Sequence, residues 1–225
     1  MSITERLGLI RYTVKSDIVS VPLRLFGRRV RKEIAAAAEP TPAVIIDLLT
    51  GTGSTLVYYA RRFPQARIIT VDRDPGILCF TARRIEAETG VQIETLAADA
   101  RELSLPVSMA DLVNVSFGLH ELKRLDRSLL LGEACRLLKP GGQLTVADYR
   151  EVKGPGRRLL MRVYYLAFEP RWIKQLFDGG LEKQVADAGF DVIEVRKDLP
   201  LTQLIVARKP VAPGCTEGRR LHLAK

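Results

Sequence analysis

The stretch "VIIDLLTGTGS", Val44 to Ser54, joins a run of β-branched and aliphatic residues to two glycines separated by one residue. An apolar run that closes in a glycine-rich turn is typical of a buried parallel strand followed by a helix, where the bare backbone lies close to a ligand. The same letters also suit an ordinary tight turn. A dinucleotide-binding fingerprint requires a third glycine where this chain has Leu56, so the stretch does not favour NAD.

Further strand-like runs follow the first one along the chain. We predict strands at AVIIDLL, ARIITVD, VQIETLAAD, DLVNVSF and GQLTVAD, each followed by a helix or another crossover. Two later runs, FDVIEVRKD and TQLIVARK, are separated only by LPL, which is too short for a crossover and predicts an antiparallel pair. The sequence therefore predicts an α/β fold: a doubly wound, seven-stranded, mostly parallel, Rossmann-like sheet with an antiparallel last strand.

Length, composition and charge narrow the class of protein. The chain has 225 residues, of which 47% are hydrophobic and 27% charged, as in an ordinary globular domain. No apolar stretch reaches the roughly 18 residues of a membrane span and no secretory signal is present, so we expect a cytoplasmic protein, with peripheral membrane contact left open. Three scattered cysteines without a C-x-x-C pair do not indicate a metal site. The formal charge of +9 is compatible with binding to a nucleic acid, an anionic membrane or an acidic substrate. It is equally compatible with basic residues that are simply dispersed over a solvated surface.

Segments flank and interrupt the predicted core domain, residues 41–210. A basic helical arm occupies residues 1–40, an insertion occupies 150–180, and residues 211–225 are predicted to be disordered. The insertion interleaves aromatic and basic residues, which suits a cover over a flat or apolar acceptor with an anionic group; an amphipathic helix packed on the core is the alternative. The arm has the same mixture, which is typical of a membrane-surface or lid-like helix.

Five motifs occur in order between Ala43 and Lys209. They read IDLLTGTG, VDRD, LAADARELSL, DLVNVSFGLHEL and ACRLLKPGGQLTVAD. Together they resemble the class I S-adenosylmethionine-dependent methyltransferases, whose first motif is similar to hydrophobic-D-x-G-x-G-x-G. Within that class the chain is most similar to the methyltransferases of ubiquinone and menaquinone biosynthesis and related small-molecule or lipid methyltransferases. The arm lacks the tyrosine–aspartate step usual in the quinone enzymes, which leaves the acceptor open.

The resemblance implies a site for S-adenosylmethionine, with S-adenosylhomocysteine as product. In that site Asp72 holds the ribose, with a helix N-cap as its alternative role, Arg73 lies beside the adenine, and Asp99 accepts from the adenine amino group. The predicted cofactor-binding residues are Asp47, Leu49, Thr50, Gly51, Thr52, Gly53, Asp72, Arg73, Asp99, Ala100, Ser116 and Phe117. Leu49 replaces the first glycine of the motif. If that position needs φ > 0 the leucine is strained, and if the glycine only made room the leucine intrudes toward the cofactor.

The acceptor side of the site is predicted from residues after the fourth and fifth strands. His120 is the candidate base, with a structural histidine as the alternative. The candidate substrate residues are Tyr149, Tyr164, Tyr165 and Trp172. We therefore expect methyl transfer to a small, hydrophobic or lipid-like acceptor, and a homodimer is left open. The alternatives are an RNA methyltransferase, disfavoured because the fourth strand lacks a D/N-P-P-aromatic step, and a non-catalytic binding protein that kept only the fold.

Overall fold

The structure of the chain is a computed structural model, which describes residues 21–39, 41–151, 173–177, 180–199 and 201–211. For residues 21–26, 173 and 174 it describes the backbone and not the side chains. Three of the predicted substrate residues, Tyr164, Tyr165 and Trp172, lie outside these ranges. Most of the predicted insertion and nearly all of the predicted tail lie outside them as well.

In the described part of the chain, seven strands form a single sheet. They are β1 (Val44–Leu48), β2 (Arg67–Asp72), β3 (Glu94–Ala97), β4 (Ala110–Ser116), β5 (Leu138–Tyr149), β6 (Asp191–Arg196) and β7 (Thr202–Arg208). Across the sheet their order is β3-β2-β1-β4-β5-β7-β6. Strands β1 to β5 pair in parallel, whereas β7 pairs antiparallel with both β5 and β6. The predicted fold class is confirmed, including the antiparallel pair formed across the LPL connection.

Helices connect and cover the strands. They are α1 (Val21–Ala36), α2 (Leu56–Arg62), α3 (Pro75–Thr89), α4 (Arg124–Leu137), α5 (Ile173–Phe177) and α6 (Leu181–Asp187), with a 3₁₀ turn at Leu119–Glu121. None of the helices in the described ranges has the length and apolar character needed to cross a bilayer.

Buried apolar side chains cover both faces of the sheet. Successive side chains of a strand point to opposite faces, so Ile45 and Ile46 of β1 belong to two different core clusters. The cluster around Ile46 includes Leu130 of α4 and Val185 of α6, and the cluster around Ile45 includes Tyr59 of α2. Covering both faces is what a parallel sheet requires, and it leaves the strand ends as the place for a ligand.

Helix α1 is the described part of the predicted basic arm, and it packs on the sheet. Val30 and Ile34 are 2% and 0% exposed and belong to the same cluster as Ile45. Just after the helix, the Gln143 side chain on β5 donates to the carbonyl of Ala37 at 2.9 Å. The apolar stripe at these positions is therefore covered by the protein itself.

Candidate active site

The glycine loop between β1 and α2 has a backbone that is fixed by contacts with α3. Gly51 and Gly53 have φ of 50° and 68°, values that favour glycine. A Cβ at Gly53 would lie 2.6 Å from Thr81 Cγ2, so this position also needs glycine for space. The Thr81 hydroxyl donates to the Gly51 carbonyl at 2.7 Å, and the Arg84 guanidinium donates to the Thr52 carbonyl at 3.1 Å. These contacts hold the glycine loop in shape.

Leu49, which stands in place of the first glycine of the motif, adopts a left-handed backbone conformation. Its φ is 57°, which costs a leucine about 1–2 kcal/mol relative to right-handed backbone. Its side chain is directed to the loop after β4: a Cβ at Gly118 would lie 2.7 Å from Leu49 Cδ1 and 2.8 Å from Leu49 Cβ. The strain expected from a positive φ is therefore present, and the side chain is accommodated by the bare backbone of Gly118.

Gly118 itself has φ −126°, which any residue adopts, so its requirement for glycine comes from Leu49. Gly118→Ala is expected to destabilise the protein by about 1–3 kcal/mol through overpacking, and the penalty is expected to vanish in a Leu49→Gly background. Urea unfolding of the two single variants and the double variant measures this coupling. Gly132→Ala is the matched control, because a Cβ at Gly132 in α4 contacts nothing within 4 Å. Equal penalties in both backgrounds would contradict the contact.

Asp47 lies at the end of β1 and is 2% exposed. Its two carboxylate oxygens accept hydrogen bonds of 2.5 Å from the Thr50 hydroxyl and from the Asn114 amide. Burial raises the pKa of Asp47 to about 6, although these two hydrogen bonds partly oppose the rise. The first acid of the motif is therefore a buried anchor for Thr50 in the glycine loop, and it is linked to β4.

Asn114 extends the hydrogen bonds of Asp47 into a row of buried polar side chains that crosses the sheet. It lies beside Asp47 of β1 and beside Thr145 of β5 in the strand register. Its side-chain oxygen accepts from the Thr145 hydroxyl at 3.0 Å and from the Tyr59 hydroxyl at 3.2 Å. Its amide also donates to the Ser116 hydroxyl at 3.3 Å. An asparagine within an apolar strand is unusual in sequence, but no local pattern indicates that Tyr59 and Thr145 complete the row.

Asp72 lies at the end of β2, where it is half-buried and faces the glycine loop. Its carboxylate accepts from the Gly51 N–H at 3.0 Å and from the Asp74 N–H at 3.2 Å. The N-cap of α3 is Asp74, which accepts from the N–H groups of Gly76 and Ile77. The alternative that Asp72 caps this helix is wrong, and its carboxylate stands at the junction of β2 and the loop.

Asp99 follows β3 and is held between two arginines. Arg101 donates to both carboxylate oxygens from its side chain, at 2.6 to 3.1 Å, and Arg73 also forms an ion pair with Asp99. Hydrogen bonds from Arg101, together with those from Arg73, hold the pKa of Asp99 well below its usual range against the opposing effect of burial. The predicted neighbours Arg73 and Asp99 are thus brought together, whereas the side chain of Ala100 is buried in the core.

His120 and Asp148 form a buried pair at the ends of β4 and β5. His120 Nδ1 lies 2.8 Å from Asp148 Oδ1, and the His120 backbone N–H donates to Asp148 Oδ2 at 3.0 Å. The Tyr149 ring packs edge-on against the His120 ring, with centroids 4.8 Å apart, and against the Phe117 ring at 6.1 Å. Phe117 has φ 57°, so the loops after β1 and β4 each hold a non-glycine residue in left-handed backbone, as is common at functional sites.

The predicted site residues of the described chain gather at one edge of the sheet, the carboxyl ends of β1, β2, β3, β4 and β5. That edge is where an open α/β sheet binds its ligand. Within the described ranges, no group of three or more histidine, cysteine or acidic side chains is arranged to hold a metal ion.

Comparison with known proteins finds relatives among the methyltransferases. The sequence profile of the methyltransferase domain matches residues 45–142. A demethylmenaquinone methyltransferase of Thermus thermophilus is 32% identical over 171 residues, which are 76% of this chain and 73% of the relative. The ubiquinone/menaquinone biosynthesis C-methyltransferase UbiE of Syntrophotalea carbinolica is 30% identical, over 79% of this chain and 73% of the relative.

A solved structure shares the fold. Human N-acetylserotonin methyltransferase in complex with S-adenosylmethionine superposes with a TM-score of 0.66 at 20% identity, over 90% of this chain and 58% of that one. Sequence relatives, the five ordered motifs and the sheet order lead to the same conclusion. The chain belongs to the class I S-adenosylmethionine-dependent methyltransferases and is related to the quinone-biosynthesis enzymes of the UbiE type.

Proposed function

We propose that this methyltransferase acts on a small, hydrophobic or lipid-like acceptor, and that a hydroxylated aromatic ring such as a quinol is the first candidate. The observation that carries the proposal is the aromatic wall of Phe117 and Tyr149 beside His120 at the ends of β4 and β5. A flat acceptor packs well against such rings. The names of the two relatives, which concern demethylmenaquinone and ubiquinone/menaquinone biosynthesis, support the choice of a quinol.

The cofactor, S-adenosylmethionine, supplies an electrophilic methyl group on a sulfonium. The described residues fit it, because the half-buried Asp72 carboxylate suits hydroxyl donors and the Gly51–Gly53 backbone permits close approach. Asp99 is proposed to accept from the adenine amino group. Both oxygens of Asp99 already accept from arginines, so the Arg73–Asp99 ion pair has to break when the adenine binds. Arg73 is 59% exposed, and such surface pairs exchange at little cost.

His120 is proposed as the base and Asp148 as the residue that positions it. The N–H groups of His120 and Tyr149 both donate to Asp148, so its oxygens act as acceptors. This assigns the proton of the neutral imidazole to Nδ1 and the lone pair to Nε2, the atom that takes a proton from an acceptor hydroxyl. Removing that proton raises the electron density of a hydroxylated ring and thereby assists its attack on a methyl carbon.

Asp72→Asn tests the cofactor site. We expect the variant to bind S-adenosylhomocysteine about 10- to 100-fold more weakly, because hydrogen bonds to a charged acceptor contribute about 1.5–3 kcal/mol and a neutral amide accepts more weakly. Calorimetric titration of wild type and variant measures the difference. NAD is the ligand control, and Asp74→Asn is the protein control, since asparagine caps a helix as well as aspartate does. Unchanged affinity in Asp72→Asn would remove Asp72 from the site.

A further inference from the structure

Arg31 of helix α1 is half-buried at the edge of the active site, and its Nε atom lacks an acceptor. Its guanidinium carbon lies 6.0 Å from the centre of the Phe117 ring, within reach of a cation–π interaction. Its Nε atom is buried and has no hydrogen-bond partner, and no carboxylate pairs with this guanidinium in the described part of the chain. Burial lowers the pKa of Arg31, and the nearby Arg84 lowers it further, although Tyr58 and Tyr149 partly oppose this.

A fully buried arginine, Arg127, shows what a structural guanidinium looks like in this protein. Arg127 in α4 is 0% exposed, and it donates to the Gln184 side chain at 2.8 Å and to the carbonyls of Leu122 and Gln175 at 2.6 Å. A buried cation is stabilised when its donors are satisfied in this way. The Nε atom of Arg31 is also buried but lacks such an acceptor, so packing alone does not account for the guanidinium at this position.

The surroundings of Arg31 belong to the ligand cleft. Phe117 follows β4 and Tyr149 ends β5, and both form the aromatic wall next to His120. Arg84 fastens the glycine loop through the Thr52 carbonyl and the Ser54 hydroxyl. Arg31 therefore lies between the cofactor loop and the acceptor wall, where its charge acts on a ligand.

We propose that Arg31 binds a carboxylate group of the ligands that fill this cleft. The inference rests on the proposed function, because it assigns the ligand to that same site. Two ligands can carry the carboxylate: the amino-acid end of the adenosyl cofactor, or the acceptor, which would then be an amphiphilic acid. Guanidinium–carboxylate pairs are strong and directional, and such a pair satisfies the orphaned donor.

Binding measurements with three probes test the inference and separate the two sources. The probes are S-adenosylhomocysteine, 5′-methylthioadenosine, which lacks the amino-acid end, and octanoate, tested with and without the saturating adenosyl ligand. If the cofactor carries the carboxylate, Arg31→Met weakens S-adenosylhomocysteine binding about 10- to 100-fold and leaves methylthioadenosine unchanged. If the acceptor carries it, both adenosyl ligands are unchanged and octanoate binding is lost. Arg31→Met with all three affinities unchanged overturns the proposal.

Controls distinguish a ligand role from a structural one. Arg28→Met removes an exposed charge from the same helix and is expected to change none of the affinities. The ligand-free Arg31→Met protein is expected to melt at or above the wild-type temperature, because a guanidinium whose buried Nε lacks an acceptor is removed; a clear fall in Tm contradicts the proposal. Arg31→Gln replaces Arg31→Met if the latter does not fold. Wild-type protein that binds neither adenosyl ligand refutes the proposed function, whereas octanoate still tests Arg31.

Discussion

Replacing His120 by glutamine is expected to lower kcat for methyl transfer about 10²- to 10⁴-fold, the usual contribution of a positioned base. Glutamine retains a hydrogen-bonding group for Asp148 but cannot take up a proton near neutral pH. Affinity for S-adenosylhomocysteine is expected to stay within about two-fold, because His120 is proposed to act on the acceptor and a proton-transfer role affects kcat. Transfer of labelled methyl from S-adenosylmethionine to a reduced short-chain demethylmenaquinone analogue measures the rate.

The pH profile separates a base from a structural histidine. Wild-type kcat is expected to fall on the acidic side as His120 becomes protonated, and Asp148→Asn is expected to move this limb to lower pH because the imidazolium loses its negative partner. His222→Gln, at the only other histidine of the chain, is the control and is expected to leave both rate and profile unchanged. An acidic limb that persists unshifted in both His120→Gln and Asp148→Asn would contradict the assignment.

Asp47→Asn is expected to stabilise the protein at pH 8 by up to about 3 kcal/mol. The pKa of Asp47 is about 6 in the folded protein against 3.8 for an ordinary carboxyl, so the folded state holds this proton more tightly than the unfolded chain does. In the wild type, the contribution of the protonated Asp47 carboxyl to the free energy of unfolding is therefore lost as pH rises from about 4 to about 6. The asparagine carries no charge to bury, and its amide can donate to Thr50 while its oxygen accepts from Asn114.

Urea unfolding of wild type and Asp47→Asn at pH 4 and pH 8 measures this effect. The two proteins are expected to be similar at pH 4 and to diverge at pH 8. Asp111→Asn is the control, because the pKa of Asp111 is shifted in the opposite direction. Burial raises the pKa of Asp111, but hydrogen bonds from Lys139 and from the Val44 and Ala43 N–H groups outweigh this effect and lower the pKa. That variant is expected to lose stability at pH 8. A gain for Asp47→Asn that is equal at both pH values would mean that its charge is not responsible.

A buried carboxylate that lowers stability at neutral pH fits a residue retained for function. Asp47 anchors Thr50 beside the glycine loop and joins that loop to β4 through Asn114. Leu49 and Gly118 join the same two loops by direct packing. The loops after β1 and β4 are thus connected twice, once by hydrogen bonds and once by a leucine in left-handed backbone.

The sequence by itself determined the fold and predicted the sheet edge at which the site is expected, because both depend on local properties. Runs of apolar residues specify strands, and the length of a connection decides whether two strands can be parallel; LPL was too short for a crossover. One local signal was misjudged at the second motif. Pro75 directly follows Asp74, and proline is favoured at the first position of a helix, so the sequence already indicated Asp74 as the N-cap and not Asp72.

Only the tertiary structure decided which side chains meet. The partner of Leu49 is Gly118, and the Asn114 amide reaches Asp47 across 67 positions of the chain. Such contacts depend on strand register and on how helices dock, which no local pattern encodes. The same holds for Arg31, one of many arginines in a basic arm until the packing of α1 places it over Phe117. Sequence specified the chemistry that is available, and the packing of distant segments specified where each group is buried, paired or left to bind a ligand.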